Sequence, residues 1–258
     1  MKRIFILIFS IALISPSILA WGPKGHRIVA QVAYENLTPK TRKHVDAVLG
    51  TRGLIYLSTW PDELKSDTIY PQSHDWHYQD LEGGLSDEAV VATLTDYPKV
   101  GGKMFRALDS LRAELKTNPT NHDALVFYVH LLADSYCPMH IAHLDDKGGN
   151  AVKMKWFGQN TNLHSVWDSK LVEYKGFAYT EYASYLHDVY GAKTKEILAM
   201  TTSETLLHTY HLTSALYEYQ GTWSGNAYHY AYHWVSDMEL QLYMGGVKLA
   251  QSLNAIFK

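Results

Sequence analysis

The sequence predicts an all-α protein, and three observations support this class. Apolar residues recur at helical spacing in several long segments, capping and stop signals separate those segments, and alternating apolar and polar runs are scarce. A small pair of strands is predicted only within residues 147–158. The 258 residues contain no repeat, no low-complexity segment and no linker, so one large-cored domain is expected.

The first twenty residues have the layout of a secretory signal peptide. Lys2 and Arg3 precede an apolar run over residues 4–14, and small Ala20 ends the segment. The run is too short to span a membrane comfortably, and an uncleaved N-terminal anchor is the alternative. We expect cleavage after residue 20, one domain over residues 21–258, a secreted or periplasmic location and no stable membrane association.

The net charge and the cysteine count limit how this protein can bind nucleic acid and how its fold is stabilised. Removing two of the 23 basic residues with the signal peptide leaves 21 against 26 acidic ones, a formal charge of −5. A protein that bound nucleic acid through lysine and arginine alone would be basic, so contact with phosphates requires another positive charge. The single cysteine, Cys137, excludes an intramolecular disulfide and is interpreted as a packing residue.

The first two helices are predicted from spacing and caps. Apolar residues within 28–37 lie at helical spacing after a glycine-proline opening. Thr38 is then a typical N-cap, Pro39 a typical first helical residue, and Gly50 a typical stop.

Four longer helical segments follow. Residues 103–116 are amphipathic, and residues 118–121 provide a break and a cap before an apolar run that starts at Ala124. Residues 180–217 and 227–257 are predicted as long helices. Two long loops, 66–80 and 141–163, are rich in polar residues and adjoin histidines. Such long loops in a compact helical domain are typically functional.

Two pairs of residues with the spacing His-x-x-x-Asp carry the chemical signal. His130 and Asp134 share one helical face in a segment that is apolar almost all round, so the carboxylate needs a partner or a cation. A core hydrogen bond explains one such pair equally well. His164 and Asp168 repeat the spacing, and His140 follows Pro138, so nitrogen and oxygen ligands for more than one metal ion are present. Zinc is favoured, with iron or manganese in a helical bundle as the alternative.

Two further sites lie upstream. Asp62 follows Trp60-Pro61 and is interpreted either as a ligand or as a helix N-cap. His74 and His77 are both candidate ligands, and their local sequence does not choose between them.

The motif set resembles that of the zinc-dependent single-strand nucleases of fungi, plants and bacteria. The residues after the predicted cleavage site, Trp21-Gly22-Pro23-Lys24-Gly25-His26, resemble the family's WGxxGH opening. The other landmarks follow in the family's order: WPDELK, WHYQD, FYVHLLADSYCPMH, DDKGGN and NLHSVWD. The resemblance implies a mainly helical fold around three zinc ions per chain, which would also supply the missing positive charge.

The resemblance also implies ligand sets. It assigns His77 rather than His74, and makes His143 a loop residue near the site. The implied sets are Asp62, His77, His130 and Asp134 for one zinc; the α-amino nitrogen and carbonyl of Trp21, His26 and a bridging Asp134 for the second; His140, His164 and Asp168 for the third. An α-amino group titrates near pH 8, so zinc can displace its proton near neutrality.

Catalytic and substrate-binding residues are implied in the same way. Zinc-activated water is the implied nucleophile, with Asp62 as a ligand and Lys65 stabilising charge on the phosphate; a solvated surface lysine is the alternative for Lys65. Base contacts are implied for Tyr78, Asp80, Gly148, Gly149 and Asn150. Lys147 and the elongated loop that begins at His143 depart from the fungal pattern, which leaves base preference open.

The implied activity is hydrolysis of single-stranded DNA and RNA to 5′-phosphates, with 3′-nucleotidase activity, by a monomer. Two alternatives stay open. A zinc phospholipase C would share the metal ligands, and a zinc-sequestering surface protein would bind the metal without catalysis, although its histidines would be expected in a tract rather than in helical pairs.

Overall fold

The computed structural model describes residues 21–64, 68–221 and 223–258. The predicted signal peptide and Lys65 lie outside the described residues, so their interpretations remain predictions. The predicted mainly helical class is confirmed. Within the described ranges, no helix combines the length and the apolar character needed to cross a membrane.

Helices and one short hairpin follow one another along the chain. The α-helices are α1 (Pro23–Asn36), α2 (Pro39–Leu49), α3 (Gly53–Tyr56), α4 (Trp60–Glu63), α5 (Asp87–Ala92), α6 (Met104–Thr117), α7 (His122–Asp134), α8 (Leu163–Ser165), α9 (Leu171–Glu173), α10 (Tyr179–Tyr190), α11 (Thr194–Ala199), α12 (Thr202–Gln220) and α13 (Ala227–Ile256). Short 3₁₀ turns cover Pro71–Trp76, Pro138–His140, Leu144–Asp146 and Gly191–Lys193, and a π-helical turn, Val166–Lys170, joins α8 to α9. The antiparallel strands are β1 (Lys153–Trp156) and β2 (Gln159–Asn162).

The predicted caps of α2 are confirmed. The Thr38 hydroxyl accepts from the Thr41 amide at 3.2 Å, Pro39 is the first helical residue, and Gly50 follows the last one with a φ of 81°. Asn121 likewise caps α7, where its side-chain oxygen accepts from the Ala124 amide at 3.1 Å. Local sequence alone therefore determines where these helices begin.

Two predicted boundaries are wrong. Residues 180–217 form three helices rather than one, because a 3₁₀ turn starts at Gly191 and Met200 is extended before Thr201 and Glu204 form a capping box. The hairpin lies at residues 153–162 rather than within 147–158. Residues 147–149 have φ values of 59°, 65° and 80°, a left-handed conformation that cannot belong to a strand.

The core is organised around α13, which packs most extensively against α1. Gly246 permits this close approach, since a Cβ there would lie 2.5 Å from Val32 Cγ1. Helix α7 lies beside both helices and is buried along nearly its whole length. The polar residues of α7 are therefore held inside the protein by rigid helices.

Candidate metal centre

Helix α7 places two ionisable side chains in the interior. His130 and Asp134 lie one turn apart, both are fully buried, and His130 Nε2 is 3.3 Å from Asp134 Oδ2. Asp134 is the last residue of α7, where the chain turns toward the Pro138–His140 segment. The predicted pair therefore stands at the end of a rigid helix, aimed at the loops that follow.

Helix α1 adds His26 to this pair. The His26 ring stacks on the His130 ring, with centroids 3.8 Å apart, and its Nε2 lies 3.2 Å from Asp134 Oδ1. Among the described residues, neither His26 ring nitrogen makes a hydrogen bond of acceptable geometry, and His26 is fully buried. A buried imidazole without hydrogen bonds is expensive unless a further ligand completes it.

Trp21 is anchored beside His26. Its indole is fully buried, Nε1 donates to the Ala133 carbonyl at 3.0 Å, and it packs so closely on Gly25 that a Cβ there would lie 3.0 Å from Trp21 Cβ. Trp21 is therefore a fixed residue and not an exposed aromatic at a loose terminus. Its backbone nitrogen becomes an α-amino group only in a chain that begins at this residue.

A pair of extended segments brings His77 to the cluster. The Gln79 amide donates to the His140 carbonyl at 2.9 Å, and the Leu81 amide donates to the Ala142 carbonyl at 2.9 Å. His77 Nδ1 consequently lies 3.3 Å from Asp134 Oδ2 and 3.6 Å from Asp62 Oδ1.

The structure distinguishes between the alternatives left open for His74, His77 and Asp62. His74 is more than half exposed and lies beside Asp75, so the structure places His77, not His74, in the cluster. Asp62 is not the N-cap of its helix, because Thr59 holds that position. Its carboxylate is 94 % buried, and Oδ1 lies 3.5 Å from His130 Nε2.

The third predicted group forms around Asp168. His164 Nε2 lies 2.8 Å from Asp168 Oδ2, and His140 Nε2 lies 3.6 Å from Asp168 Oδ1. Asp168 belongs to the π-helical turn between α8 and α9, a distortion that is frequent at functional sites. The buried Cys137 thiol also donates to Asp168 Oδ1, at 3.3 Å, and burial raises its pKa well above the usual thiol range.

Backbone carbonyls orient three of the histidines. A carbonyl only accepts, so the ring nitrogen facing it carries the proton and the other nitrogen is left for the cluster. The three bonds are His130 Nδ1 to Ser58 O (2.6 Å), His140 Nδ1 to His77 O (2.5 Å) and His164 Nδ1 to Gly148 O (2.6 Å).

The electrostatics of the cluster favour positive charge. Burial opposes the charged form of His130, but the Asp134 and Asp62 carboxylates outweigh it and raise its pKa to about 10. Burial likewise opposes ionisation of Asp134, yet His130, His140 and His26 hold its pKa well below the usual range. Burial and His130 together lower the pKa of His26. The carboxylates thus attract a cation, and a proton on His130 and a metal ion compete for the same place.

The donor set fits metal ions. Three sets of buried side chains each bring their ligand atoms within 4.8 Å of one another: His26, His130 and Asp134; Asp62, His77 and His130; Cys137, His140 and Asp168. These sets differ from the implied ones, because His130 rather than Asp134 belongs to two of them and Cys137 takes the place of His164 in the third. Asp134 Oδ2 still lies 3.3 Å from His77 Nδ1, and Asp168 Oδ2 lies 2.8 Å from His164 Nε2. Imidazole and carboxylate are ligands that suit zinc.

A cavity of about 310 Å³ opens beside the candidate metal ligands. Its lining includes His77, His140 and His164, together with Tyr78, Asp80, Gly148 and Asn150. Gly149, the remaining predicted substrate residue, packs behind Gly148 against His164 and Met139. A larger cavity of about 470 Å³, between α6, α7, α12 and α13, is lined by none of the predicted ligands.

Asp80 presents a buried carboxyl group to this cavity. Its side chain is largely buried, and among the described residues Oδ1 has no hydrogen-bond partner. Burial raises its pKa to about 7, against an opposing influence from His140 and His164. A buried carboxyl group without a partner is costly, so its place in a cavity wall indicates a ligand that donates hydrogen bonds.

We expect Gly148→Ala to impair substrate binding. Gly148 has a φ of 65°, and an added Cβ would lie 2.8 Å from Met139 O and 3.0 Å from Asp80 Oδ1. The predicted result is a rise of about tenfold in KM, which corresponds to about 1.4 kcal/mol, since the added methyl group must displace the Asp80 carboxyl group or the Met139 backbone in the cavity wall. Gly176→Ala is the matched control, because its φ is 69° but nothing lies within 4 Å of an added Cβ. Equal KM values for the two variants would contradict the prediction.

Sequence reasoning missed three parts of the site. The carbonyl of Ser58 and the thiol of Cys137 touch metal-binding residues, and Met139 packs against both glycines. Carbonyls carry no sequence signal. Cys137 could have been suspected, because it stands between Asp134 and His140 in the chain.

The helical fold holds a buried histidine–aspartate centre beside a cavity, an arrangement typical of a metal-dependent hydrolase. The S1/P1 Nuclease family model matches residues 21–258. The chain therefore belongs to the S1/P1 nuclease family, whose members are hydrolytic endonucleases.

Individual relatives agree with this assignment. Endonuclease 2 of Arabidopsis thaliana is 25% identical over 277 residues, which cover 94% of this chain and 92% of that protein. Nuclease S1 of Aspergillus oryzae and Nuclease P1 of Penicillium citrinum are each 28% identical over 162 residues, 59% and 58% of this chain. Those alignments span 55% and 57% of the fungal proteins, little more than half of their length.

Proposed function

We propose that this protein is an exported, zinc-dependent nuclease that hydrolyses single-stranded DNA and RNA to 5′-phosphates and also removes phosphate from 3′-nucleotides. The observation that supports it most directly is that candidate zinc ligands and Asp80 line the same cavity. Among the described residues, Asp80 Oδ1 has no hydrogen-bond partner. Bound zinc would supply the positive charge and Lewis acidity that activate water and stabilise the phosphate. The protein side chains would bind the metal ions, orient the substrate and exclude bases that are paired in a duplex.

The protein residues have separate roles in this proposal. Asp134 stands between His26 and His130 and would bridge two ions, while Asp168 would serve a third. Asp80 would accept hydrogen bonds from a nucleobase, and the half-buried Tyr78 ring would stack on that base. A base in a duplex is not free to enter such a cavity, which explains a preference for single strands.

The location that we propose for the active protein depends on Trp21. Its backbone nitrogen can act as a ligand only after cleavage before this residue, so a signal peptide removed on export would complete the centre outside the cytoplasm. We propose a secreted or periplasmic monomer whose residues 21–258 form the nuclease domain. Lys65 would lie three residues beyond Asp62, near the phosphate.

The test uses exported protein with a sequenced N-terminus. We expect a start at Trp21, about three zinc ions per chain, and cleavage of a single-stranded oligonucleotide at least tenfold faster than of its duplex. Stacking of one base is worth about 1–3 kcal/mol, and tenfold corresponds to about 1.4 kcal/mol. Phosphate release from a 3′-nucleotide tests the second activity.

Other outcomes would overturn the proposal. Faster hydrolysis of phosphatidylcholine than of denatured DNA would indicate a phospholipase C. A zinc-loaded protein inert on every phosphoester would indicate metal sequestration. Protein that keeps residues 1–20 and still binds about three zinc ions would remove the role of the Trp21 nitrogen.

A further inference from the structure

The Tyr217 side chain lies outside the cavity but is hydrogen-bonded to the turn that forms one of its walls. Residues 146–150, which we term the glycine turn, contain Gly148 and Gly149 in the left-handed conformation. Asp146 Oδ1 accepts from the Gly149 amide at 2.7 Å and also from the Tyr217 hydroxyl at 2.9 Å. Tyr217 belongs to α12 and does not line the cavity.

The glycine turn is connected directly to a metal-binding residue. The Gly148 carbonyl accepts from His164 Nδ1 at 2.6 Å, which leaves His164 Nε2 for the centre. The His164 amide lies 3.4 Å from the Gly149 carbonyl. A displacement of the turn would therefore rotate the His164 ring and move the cavity wall that faces Asp80.

Tyr217 is itself held in place. Its ring stacks on the His143 ring, with centroids 3.8 Å apart and planes 11° apart, and the His143 ring also lies against Gly83, where an added Cβ would lie 2.8 Å from the imidazole. Burial and the bond to Asp146 raise the pKa of Tyr217, so its hydroxyl stays protonated and donates.

The same face of α12 supports the other side of the centre. Thr213, one turn before Tyr217, donates to the Pro138 carbonyl at 3.0 Å, in the turn that carries His140. One turn earlier, Thr209 accepts from Gln241 of α13 at 3.0 Å. Residues 209, 213 and 217 thus connect α13 to the turn that carries His140 and to the glycine turn that orients His164.

We infer that Tyr217 is a positioning residue of the metal centre: through Asp146 it fixes the glycine turn, and through the Gly148 carbonyl it fixes His164. This inference rests on the proposed function for its metal and its substrate. It assigns a function to a hydroxyl that supports, from outside the cavity, a loop with three consecutive left-handed residues. Groups that orient a ligand from outside typically contribute about 10–100-fold to metal affinity or activity.

The experiment compares Tyr217→Phe with Tyr243→Phe in the exported full-length protein. Both changes delete one hydroxyl from a tyrosine that packs against the core, Tyr217 being partly buried and Tyr243 fully buried. The Tyr243 hydroxyl pairs with Thr194 Oγ1 at 2.8 Å, outside the centre and the cavity. Tyr217→Phe keeps the ring on His143. We expect it to lower the affinity for the most weakly held zinc by about tenfold in chelator competition and to raise KM for a single-stranded oligonucleotide. Thermal stability should change no more than in Tyr243→Phe.

A double-mutant cycle shows whether Tyr217 acts through Asp146. If it does, adding Tyr217→Phe to Asp146→Ala causes no further loss of zinc affinity. Zinc affinity equal in Tyr217→Phe and Tyr243→Phe, or fully additive losses in the double variant, would overturn the inference. These results require wild-type protein that binds zinc and cleaves single strands. A wild type that does neither refutes the proposed function instead.

Discussion

Asp134→Asn is expected to abolish hydrolysis, with a loss of at least about 10³-fold in kcat/KM, which corresponds to about 4 kcal/mol of transition-state stabilisation. The reason is geometric. One Asp134 oxygen faces His26 and the other faces His130 and His77, all within 3.3 Å. An amide presents only one oxygen and no negative charge, so the anionic group that faces three candidate ligand histidines is lost. Steady-state kinetics and zinc content by elemental analysis measure the effect.

Glu239→Gln is the matched control for a buried carboxylate. Glu239 is 1% exposed and accepts hydrogen bonds from Tyr182 and Tyr190, outside the centre and the cavity. We expect this variant to lose stability but to keep its zinc and its rate. If Asp134→Asn retained both zinc and rate, or if the control lost as much activity as Asp134→Asn, the central role of Asp134 would be wrong.

Helix ends and the closeness of each His-x-x-x-Asp pair could be predicted from the sequence because both depend on short-range chemistry. Thr38, Pro39 and Gly50 act within one turn of the helix they bound, and the pair His130–Asp134 needs only the helical repeat. The break at residues 191–200 was missed because apolar residues keep their helical spacing through it. The capping box at Thr201 and Glu204 was the available signal.

The arrangement of the site could not be predicted from local sequence. His77 lies in the centre because residues 79–81 pair with residues 140–142, and such pairing of distant segments has no local signature. Nothing near His74 in the chain excludes it. Tyr217 is one of nineteen tyrosines, and only its contacts with Asp146 and His143 distinguish it from a packing residue.

Removal of metal is expected to abolish hydrolysis and to lower the melting temperature by about 10 °C or more. Asp62, Asp134 and Asp168 are nearly or fully buried within one cluster, so their mutual repulsion and desolvation oppose folding unless cations are bound. A single ion present at about 1,000 times its Kd stabilises the native state by about 4 kcal/mol, and about 2–4 °C accompany each kcal/mol in a protein of this size.

Differential scanning calorimetry with and without a zinc chelator measures this effect, and the same chelator saturated with zinc is the control. Restoring zinc should restore both the melting temperature and the cleavage of single-stranded DNA. A chelated sample that elemental analysis shows to be free of zinc, yet melts at the original temperature, would mean that the carboxylates are stabilised by the histidines alone. Undiminished hydrolysis in that sample would require a nucleophile from the chain. Cys137 is the single thiol of the sequence, but its full burial and raised pKa disfavour the reactive thiolate.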